Sequence, residues 1–319
     1  MSRTFIGVDV SKDQLDAAVR PSNERRSFTN DPEGIDALVA WAKPFAPERI
    51  VFESTAHYQK KAVGALLAAG LPAVVVNARQ VRDFAKAIGQ LAKTDSIDAG
   101  VLAHFGEVIP TTVRPLESQE IIGFRELYDR RSQLVRMLAA EKNHRHVGGS
   151  KPVLKNIESH IAYLKKQIKS LEDRMDAIVA GSEAFRAKDE ILQSIIGIGP
   201  QVSRTLLVQL PELGTSSRQK ITALVGLAPY NDDSGGQTRA RHIRGGRIKV
   251  RNGLYQAAIA AIRHCPEMRA FYANLKERGK ASKVAVVAVA RKILVLANAL
   301  VRKMKLYEPR ANSVCPKNA

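Results

Sequence analysis

Cysteine, aromatic residues and long apolar runs are all scarce in this chain, and each shortage excludes a class of protein. The two widely separated cysteines, Cys265 and Cys315, cannot build a disulfide framework or a cysteine-rich zinc site. Aromatic residues make up only 5%, so stacking of bases on aromatic rings cannot be inferred. No run approaches about 18 uninterrupted apolar residues, and the N-terminus lacks a basic start followed by a long apolar core. We therefore expect no membrane span and no signal peptide, and we predict a cytoplasmic protein.

Acidic residues are outnumbered by basic ones, and the imbalance is confined to one part of the chain. The 319 residues include 50 Lys and Arg against 31 Asp and Glu, a net charge of +19. Residues 1–110 hold 13 basic and 13 acidic side chains, so residues 111–319 carry the whole excess. A field of this size attracts polyanions and releases their counterions. The charge thus favours a nucleic-acid partner over the alternative, a merely solvated basic surface.

Four acids in the neutral part form a candidate metal site: Asp9, Glu53, Asp95 and Asp98. Asp9 and Glu53 end apolar runs typical of β-strands, and the other two lie three residues apart on a predicted helix. Carboxylate oxygens suit Mg²⁺ or Mn²⁺, which serve phosphoryl transfer on phosphodiesters. Singly, each acid could instead be a turn former, a helix cap or a helix surface charge.

The first 110 residues alternate between strand and helix patterns. Runs 5–10 and 15–19 predict a hairpin with its turn at residues 11–13. The following segments predict helix, strand, helix and strand in turn, at residues 35–42, 50–53, 62–69 and 73–76. This order is that of a ribonuclease H-like α/β domain, in which such acids gather at one point.

A helical pattern begins near residue 117 and includes a heptad seam. The seam steps alternate between four and three residues along Ile157, Ile161, Leu164, Ile168, Leu171, Met175 and Ile178. This spacing predicts a coiled coil, whose partner is either residues 121–138 of the same chain or the same segment of a second subunit. The alternative is an ordinary amphipathic helix, and residues 144–153 predict the break between two helices.

Two glycine-containing segments in the basic part are candidate nucleic-acid contacts. Gly197 and Gly199 allow a tight turn whose amides could face a phosphate, as in helix-hairpin-helix elements, although such a turn also serves as a plain connector. Residues 234–251 hold no acid, and glycines accompany their six basic side chains. By chemistry alone, Ser234 at the start of this stretch would be a loop residue. The basic side chains are Arg239, Arg241, Arg244, Arg247, Lys249 and Arg251.

Several motifs along nearly the whole chain, from about residue 4 to about residue 305, resemble one family. They are Asp9 with Ser11-Lys12, Glu53-Ser54-Thr55-x-x-Tyr58, Lys93-Thr94-Asp95-x-x-Asp98-Ala99, Ile196-Gly197-Ile198-Gly199, Gly226-Leu227-x-Pro229 and the stretch 234–251. The family is that of the DEDD transposases of bacterial insertion sequences, which includes the Piv-type DNA invertases.

The resemblance implies a fold, a set of roles and several partners. It implies an α/β RuvC-like metal-binding domain (1–110), a helical coiled-coil segment (111–185) and a mainly α-helical transposase domain (186–310) before a tail (311–319). Asp9, Glu53, Asp95 and Asp98 would be catalytic and hold Mg²⁺ or Mn²⁺, and Ser234 would form a phosphoserine link to DNA. A non-coding bridge RNA would pair with donor and target DNA, so the protein could be site-specific without a sequence-reading element of its own.

The same resemblance implies where the protein acts and in what assembly. We expect a homo-oligomer, a dimer that forms a tetramer in the synaptic complex. Because the acids and Ser234 lie in different domains joined by the predicted coiled coil, we also expect an active site drawn from two subunits. It would associate with the bacterial nucleoid when acting and with no membrane.

Two departures from the family pattern and two alternative functions remain open. Ala56-His57 follow Thr55 where Gly-x is common, and Ile243-Arg244-Gly245-Gly246 replaces an Ile-Ser-Lys-x-Gly element. One alternative is a metal-dependent nuclease or Holliday-junction resolvase without a covalent step, in which Ser234 would be dispensable. The other is an actin-like or sugar-kinase ATPase, because the motif Gly7-x-Asp9-x-Ser11-Lys12 resembles the opening phosphate hairpin of those proteins. That fold needs further Gly-rich phosphate loops, and none follows in residues 20–150.

Overall fold

The computed structural model consists of two compact units, Met1–Glu117 and Ser118–Ala319. It describes residues 3–54, 58–90, 95–111, 113, 118–230 and 242–308, without the side chains of 95–97 and 119. The boundary lies a few residues beyond the predicted end of the first domain at residue 110. The predicted coiled-coil segment and transposase domain belong to the same second unit.

The first unit is a five-stranded mixed sheet with helices on both faces. The strand order is β3-β2-β1-β4-β5, in which β1, β4 and β5 are parallel and β1, β2 and β3 are antiparallel. One face packs on α1 and α2, and the other on α3 and α4. The elements are β1 (Phe5–Val10), β2 (Gln14–Arg20), β3 (Arg25–Thr29), α1 (Pro32–Ala42), β4 (Arg49–Glu53), α2 (Lys60–Ala68), β5 (Ala73–Val76), α3 (Ala78–Ala87) and α4 (Asp95–Val108), with a short 3₁₀ turn at Lys43–Phe45.

The predicted elements of this unit are confirmed, and strand β3 and helix α3 were not predicted. The hairpin, the two helices and the two later strands all form at the predicted places. Strand β3 was not predicted because, of its five residues, only Phe28 is buried. The polar sequence Arg-Arg-Ser-Phe-Thr therefore shows almost no apolar alternation, although it completes the edge of the sheet.

The second unit begins with a helical hairpin made of α5 (Gln119–Val147) and α6 (Lys151–Gly181). The predicted break at residues 144–153 contains the turn between them. Leu164 and Ile168 of the heptad seam pack against Leu134 of α5, with Leu138 and Leu171 beside them. The seam thus packs on one of its two predicted partners, residues 121–138 of the same chain.

The remaining helices of the second unit enclose a separate core. Helix α12 (Ser282–Lys303) is long and apolar enough to cross a membrane by length and composition alone. However, eight of its residues are buried, and most of them belong to the core that it shares with α7, α9 and α10. The other elements are α7 (Glu183–Ser194), α8 (Pro200–Gln209), α9 (Arg218–Val225), β6 (Pro229–Tyr230), β7 (His242–Ile243), α10 (Ile248–His264) and α11 (Pro266–Glu277).

Candidate functional site

Two of the predicted acids lie at the ends of neighbouring parallel strands and on the same face of the sheet. In the register of β1 and β4, Gly7 pairs with Val51, and both contact α4. Side chains alternate between the faces of a strand, so Asp9 and Glu53, two residues farther along, also lie on the α4 face. Both side chains are half-buried and have interaction partners.

Helix α4 brings the other two acids to the same end of the sheet. A Cβ on Gly7 would lie 2.1 Å from the carbonyl oxygen of Ala99, and a Cβ on Gly106 would lie 3.8 Å from the Phe5 ring. The helix therefore runs antiparallel to β1, and its first turn lies where β1 and β4 end. Asp98 in that turn is half-buried, and Asp95 begins the helix.

The chemistry of this acid end of the sheet suits a divalent metal. Asp9, Glu53 and Asp98 offer hard carboxylate oxygens, the donors that Mg²⁺ and Mn²⁺ take. Among the side chains that the structure describes, no three Asp, Glu, His or Cys residues are close enough to hold one ion. The side chain of Asp95 lies outside the described side chains, and the set of four carboxylates stays a prediction.

A fifth acid, Asp16, lies directly opposite Asp9 on β2 and was not predicted as a site residue. The Ser27 hydroxyl and the Gln14 side-chain amide donate hydrogen bonds of 2.5 and 2.7 Å to its Oδ1. If residue 10 pairs with residue 15 across the predicted turn, residue 9 must pair with residue 16, which puts Asp16 beside Asp9. The register of the hairpin, rather than any motif, was the signal that could have found it.

The predicted nucleophile and two of the predicted arginines lie outside the described residues. Ser234, Arg239 and Arg241 belong to segment 231–241, which follows β6 and precedes β7. Those two strands pair with Pro229 opposite Ile243 and with Tyr230 opposite His242. The pairing brings together Tyr230 and His242, the described residues on either side of the segment.

Three of the described basic residues of this stretch have hydrogen-bond or ion-pair partners within the protein, and among the described residues Arg244 has only a contact with an aromatic ring. Arg247 binds Glu212 through two hydrogen bonds of 2.5 and 2.7 Å and also donates to the Gln209 carbonyl oxygen. Lys249 pairs with Asp129 at 2.6 Å, and Arg251 donates to the carbonyl oxygen of Gly245. Arg244 is exposed, and its guanidinium lies 5.4 Å from the centre of the Tyr230 ring. The structure thus uses Arg247 as a packing residue and leaves Arg244 accessible to a ligand.

The two glycines of the predicted helix-hairpin-helix turn differ in what surrounds them. Gly197 has a φ of +101°, and a Cβ there would lie 2.4 Å from the Ala257 carbonyl oxygen, so it permits close packing against α10. Gly199 precedes the first turn of α8, and no atom lies within 4 Å of the position of its missing Cβ. Among the described residues, the space beside the α8 N-terminus is therefore open, which suits an anionic group.

An ion pair with one buried partner joins α8 to the helical hairpin. Arg204 of α8 is almost fully buried and pairs with Asp176 of α6. Burial lowers the pKa of the Arg204 guanidinium from its ordinary value. On the same side, Arg131 of α5 pairs with Glu172 at 2.7 Å. Helix α8 is thus joined to α6, and α6 to α5, by ion pairs.

Comparison with known proteins finds transposases and DNA-inverting proteins. A family model for DEDD transposases of the IS110 type, described as "Transposase", matches residues 6–147, and one described as "Transposase IS116/IS110/IS902 family" matches residues 189–273. The pilin gene-inverting proteins of Moraxella bovis and Moraxella lacunata are each 25% identical over 97% of this chain and 99% of their own. The insertion element IS110 uncharacterized 43.6 kDa protein of Streptomyces coelicolor is 26% identical over 50% of this chain and 38% of its own. The first match contains all four predicted acids, and the second contains Ser234.

Proposed function

The chain belongs to the IS110-type transposases, enzymes that act on DNA in transposition or recombination, and we propose that it cuts and rejoins DNA through a phosphoserine intermediate. The observation that supports a phosphoryl-transfer centre is the meeting of the α4 N-terminus with the ends of β1 and β4. This arrangement gathers the positions of Asp9, Glu53, Asp95 and Asp98 at one end of the sheet. Both matched segments are needed for the reaction, since one bears the acids and the other bears Ser234.

The four carboxylates would hold Mg²⁺ or Mn²⁺ and would orient the scissile phosphate. Such an ion, when bound, lowers the pKa of an attacking oxygen and stabilises charge on a leaving oxygen. The Ser234 Oγ forms a bond to phosphorus while one bridging P–O bond breaks, and the released DNA end keeps the electron pair and gains a proton. A hydroxyl of the other DNA strand then attacks the phosphoserine, which restores Ser234 without consumption of water.

The basic surface of the second unit would bind the nucleic acids. Arg244, the open end of α8 at Gly199, and the arginines of segment 231–241 supply donors for phosphate oxygens. We propose that a structured guide RNA, the bridge RNA, is bound here by shape and pairs with donor and target DNA. The Moraxella relatives are named pilin gene-inverting proteins. In this chain, we propose that a homo-oligomer on the nucleoid rejoins DNA strands in this way, which would serve either inversion or insertion.

Substitution of the acids tests the metal-dependent centre. Asp9→Asn, Glu53→Gln, Asp95→Asn and Asp98→Asn should each abolish recombination of a plasmid that carries the element junction, while binding to junction DNA stays within about twofold. In addition, Mn²⁺ should raise the melting temperature of the wild type but not of Asp9→Asn, because only the wild type keeps the ligand set. Asp36→Asn is the matched control and should leave recombination unchanged, since Asp36 is exposed on α1, which packs on the other face of the sheet. Full recombination by Asp9→Asn would refute the assignment.

Sequencing of RNA that copurifies with the protein tests the guide. A foldable RNA encoded beside the gene should be enriched, with one loop complementary to the element junction and one to the target. Altering the target loop should redirect insertion to the matching new site. If insertion sites do not follow the loop sequence, the RNA is not the guide, although the acid variants would still test the catalytic centre independently.

A further inference from the structure

A polar depression of about 160 Å³ lies beside α4 in the first unit. Its basic and polar lining includes Arg20, Arg25 and His104, with Asn23 and Gln90 at the side. Gly100 of α4 forms part of its wall. No motif of the sequence pointed to these residues, and none of them belongs to the predicted catalytic set.

Strand register fixes the position of Arg25 relative to the acids. Arg25 pairs with Ala18 of β2, and Ala18 pairs with Gly7 of β1, so the three residues form one row across the sheet on the α4 face. Asp9 lies two residues farther along β1 on that same face. Two strand spacings and two residue rises separate Arg25 from Asp9 by roughly 12 Å. A single strand of nucleic acid could therefore contact both places.

The absence of a side chain at position 100 keeps the depression open. A Cβ on Gly100 would lie 3.7 Å from the Arg25 Nη2 atom, which is ordinary van der Waals contact. Glycine inside a helix is less favourable than alanine, because it loses more backbone freedom on folding. Any longer side chain at this position would extend into the space that Arg25 borders.

Three neighbouring arginines are engaged differently. Arg20 pairs with Glu107 at 2.7 Å, and the Arg26 guanidinium lies 5.4 Å from the centre of the Phe28 ring, on the opposite face of the sheet. The Arg25 side chain is exposed, and among the described residues it makes no hydrogen bond or ion pair. The depression therefore contains one cation whose charge is not compensated, surrounded by further hydrogen-bond donors.

We propose that this depression, with Arg25 as its anchor, binds a backbone phosphate of a nucleic-acid strand that passes the acid end of the sheet. Its volume is below the roughly 300–1,000 Å³ of pockets that enclose whole small molecules, so it suits a phosphate rather than a base or nucleotide. A guanidinium can form two parallel hydrogen bonds to phosphate oxygens. A contact of this kind positions a strand without reading its sequence.

The proposal rests on the proposed function only in that the chain binds nucleic-acid strands, and its test requires no catalysis. Binding of a fluorescent 20-residue oligothymidylate is measured by anisotropy in EDTA over a range of salt concentrations. The slope of log affinity against log salt should fall by about 0.7 in Arg25→Gln, the change expected for one lost phosphate contact on a single strand. Arg26→Gln is the matched control, because it removes the same charge from the same strand but on the other face.

A second variant tests whether the change in slope comes from the depression itself and not from the loss of one positive charge. Gly100→Leu leaves the net charge unchanged, favours the helix and fills the depression, so it should also lower the slope by about 0.7. Equal slopes in the wild type, Arg25→Gln and Gly100→Leu would overturn the proposal. Thermal stabilisation of the wild type by inorganic phosphate, without any change in the oligothymidylate slope, would assign the depression to free phosphate and would likewise overturn it. Neither outcome depends on whether the acid variants recombine DNA.

Discussion

Gly7 of β1 and Ala99 of α4 approach so closely that a methyl group at position 7 would lie 2.1 Å from the Ala99 carbonyl oxygen. The approach lets the helix lie directly on the strand that carries Asp9. The first turn of α4, with Asp98, then reaches the end of the sheet. The position of the predicted metal site thus depends on a residue that has no functional group.

Gly7→Ala should disturb both stability and activity. The added methyl group must push α4 away from β1, which we expect to lower the free energy of unfolding by about 3 kcal/mol. Displacement of Asp98 by about 1 Å should lower recombination about a hundredfold even where the protein is folded. Denaturant unfolding and a recombination assay measure the two effects. Gly64→Ala, in open space on α2, should instead stabilise by up to about 1 kcal/mol.

Leu164→Ala should destabilise the second unit at any protein concentration. Leu164 is almost fully buried between α5 and α6 of one chain, so its loss should cost about 3 kcal/mol. The neighbouring Tyr163 is 57% exposed, and Tyr163→Ala should change stability by no more than about 0.5 kcal/mol. Denaturant midpoints are compared over a hundredfold range of concentration. A Leu164→Ala effect that appears only at low concentration would indicate an intersubunit seam.

The sequence predicted the sheet and the helical hairpin because both have strong apolar periodicity. Features that form only through contacts between distant parts of the chain could not be predicted from this periodicity. Strand β3 buries only Phe28, and it forms because β2 offers an edge for pairing. Asp16 became a neighbour of Asp9 only through hairpin register, and the depression at Arg25 required the packing of α4 on the sheet.

Charge density alone also could not distinguish between arginines that bind a ligand and arginines that hold the fold. Arg244 and Arg247 are three residues apart in one basic stretch and were predicted to act alike. Glu212, far away in sequence, engages Arg247 through both of its carboxylate oxygens. Only the fold reveals that partner.

Arg247→Ala should therefore mainly lower stability, and Arg244→Ala should mainly weaken nucleic-acid binding. Loss of Arg247 leaves Glu212 and the Gln209 carbonyl oxygen without this donor and should lower the free energy of unfolding by about 2 kcal/mol. Arg244→Ala should cost less than about 1 kcal/mol, the value of an exposed cation–π contact, but should weaken nucleic-acid binding. Thermal unfolding and a filter-binding assay measure the two effects. Equal destabilisation by both variants would contradict this division.

Alkaline pH should weaken the attachment of the chain after α12. Burial, with Cys265 and Glu267 beside the ring, raises the pKa of Tyr307 to about 12, above about 10 in the unfolded chain. Its contribution to stability is thus complete below about pH 10 and is lost as the pH rises toward 12. Unfolding of the wild type and Tyr307→Phe, compared at pH 9 and pH 11.5, should show a smaller pH-dependent loss in Tyr307→Phe. Identical pH dependence would contradict the shifted pKa.

The central claim is that Ser234 becomes covalently joined to DNA, and a denaturing gel tests it most directly. The protein is incubated with its guide RNA, Mg²⁺ and a nicked element-junction duplex that traps the intermediate. We predict a DNA-linked protein band in the wild type and in Ser170→Ala, a control at an exposed helix position, and no such band in Ser234→Ala. Cleavage by Ser234→Ala at the wild-type rate, with free 5′-phosphate and 3′-hydroxyl ends, would contradict the account and leave a metal-dependent nuclease in its place.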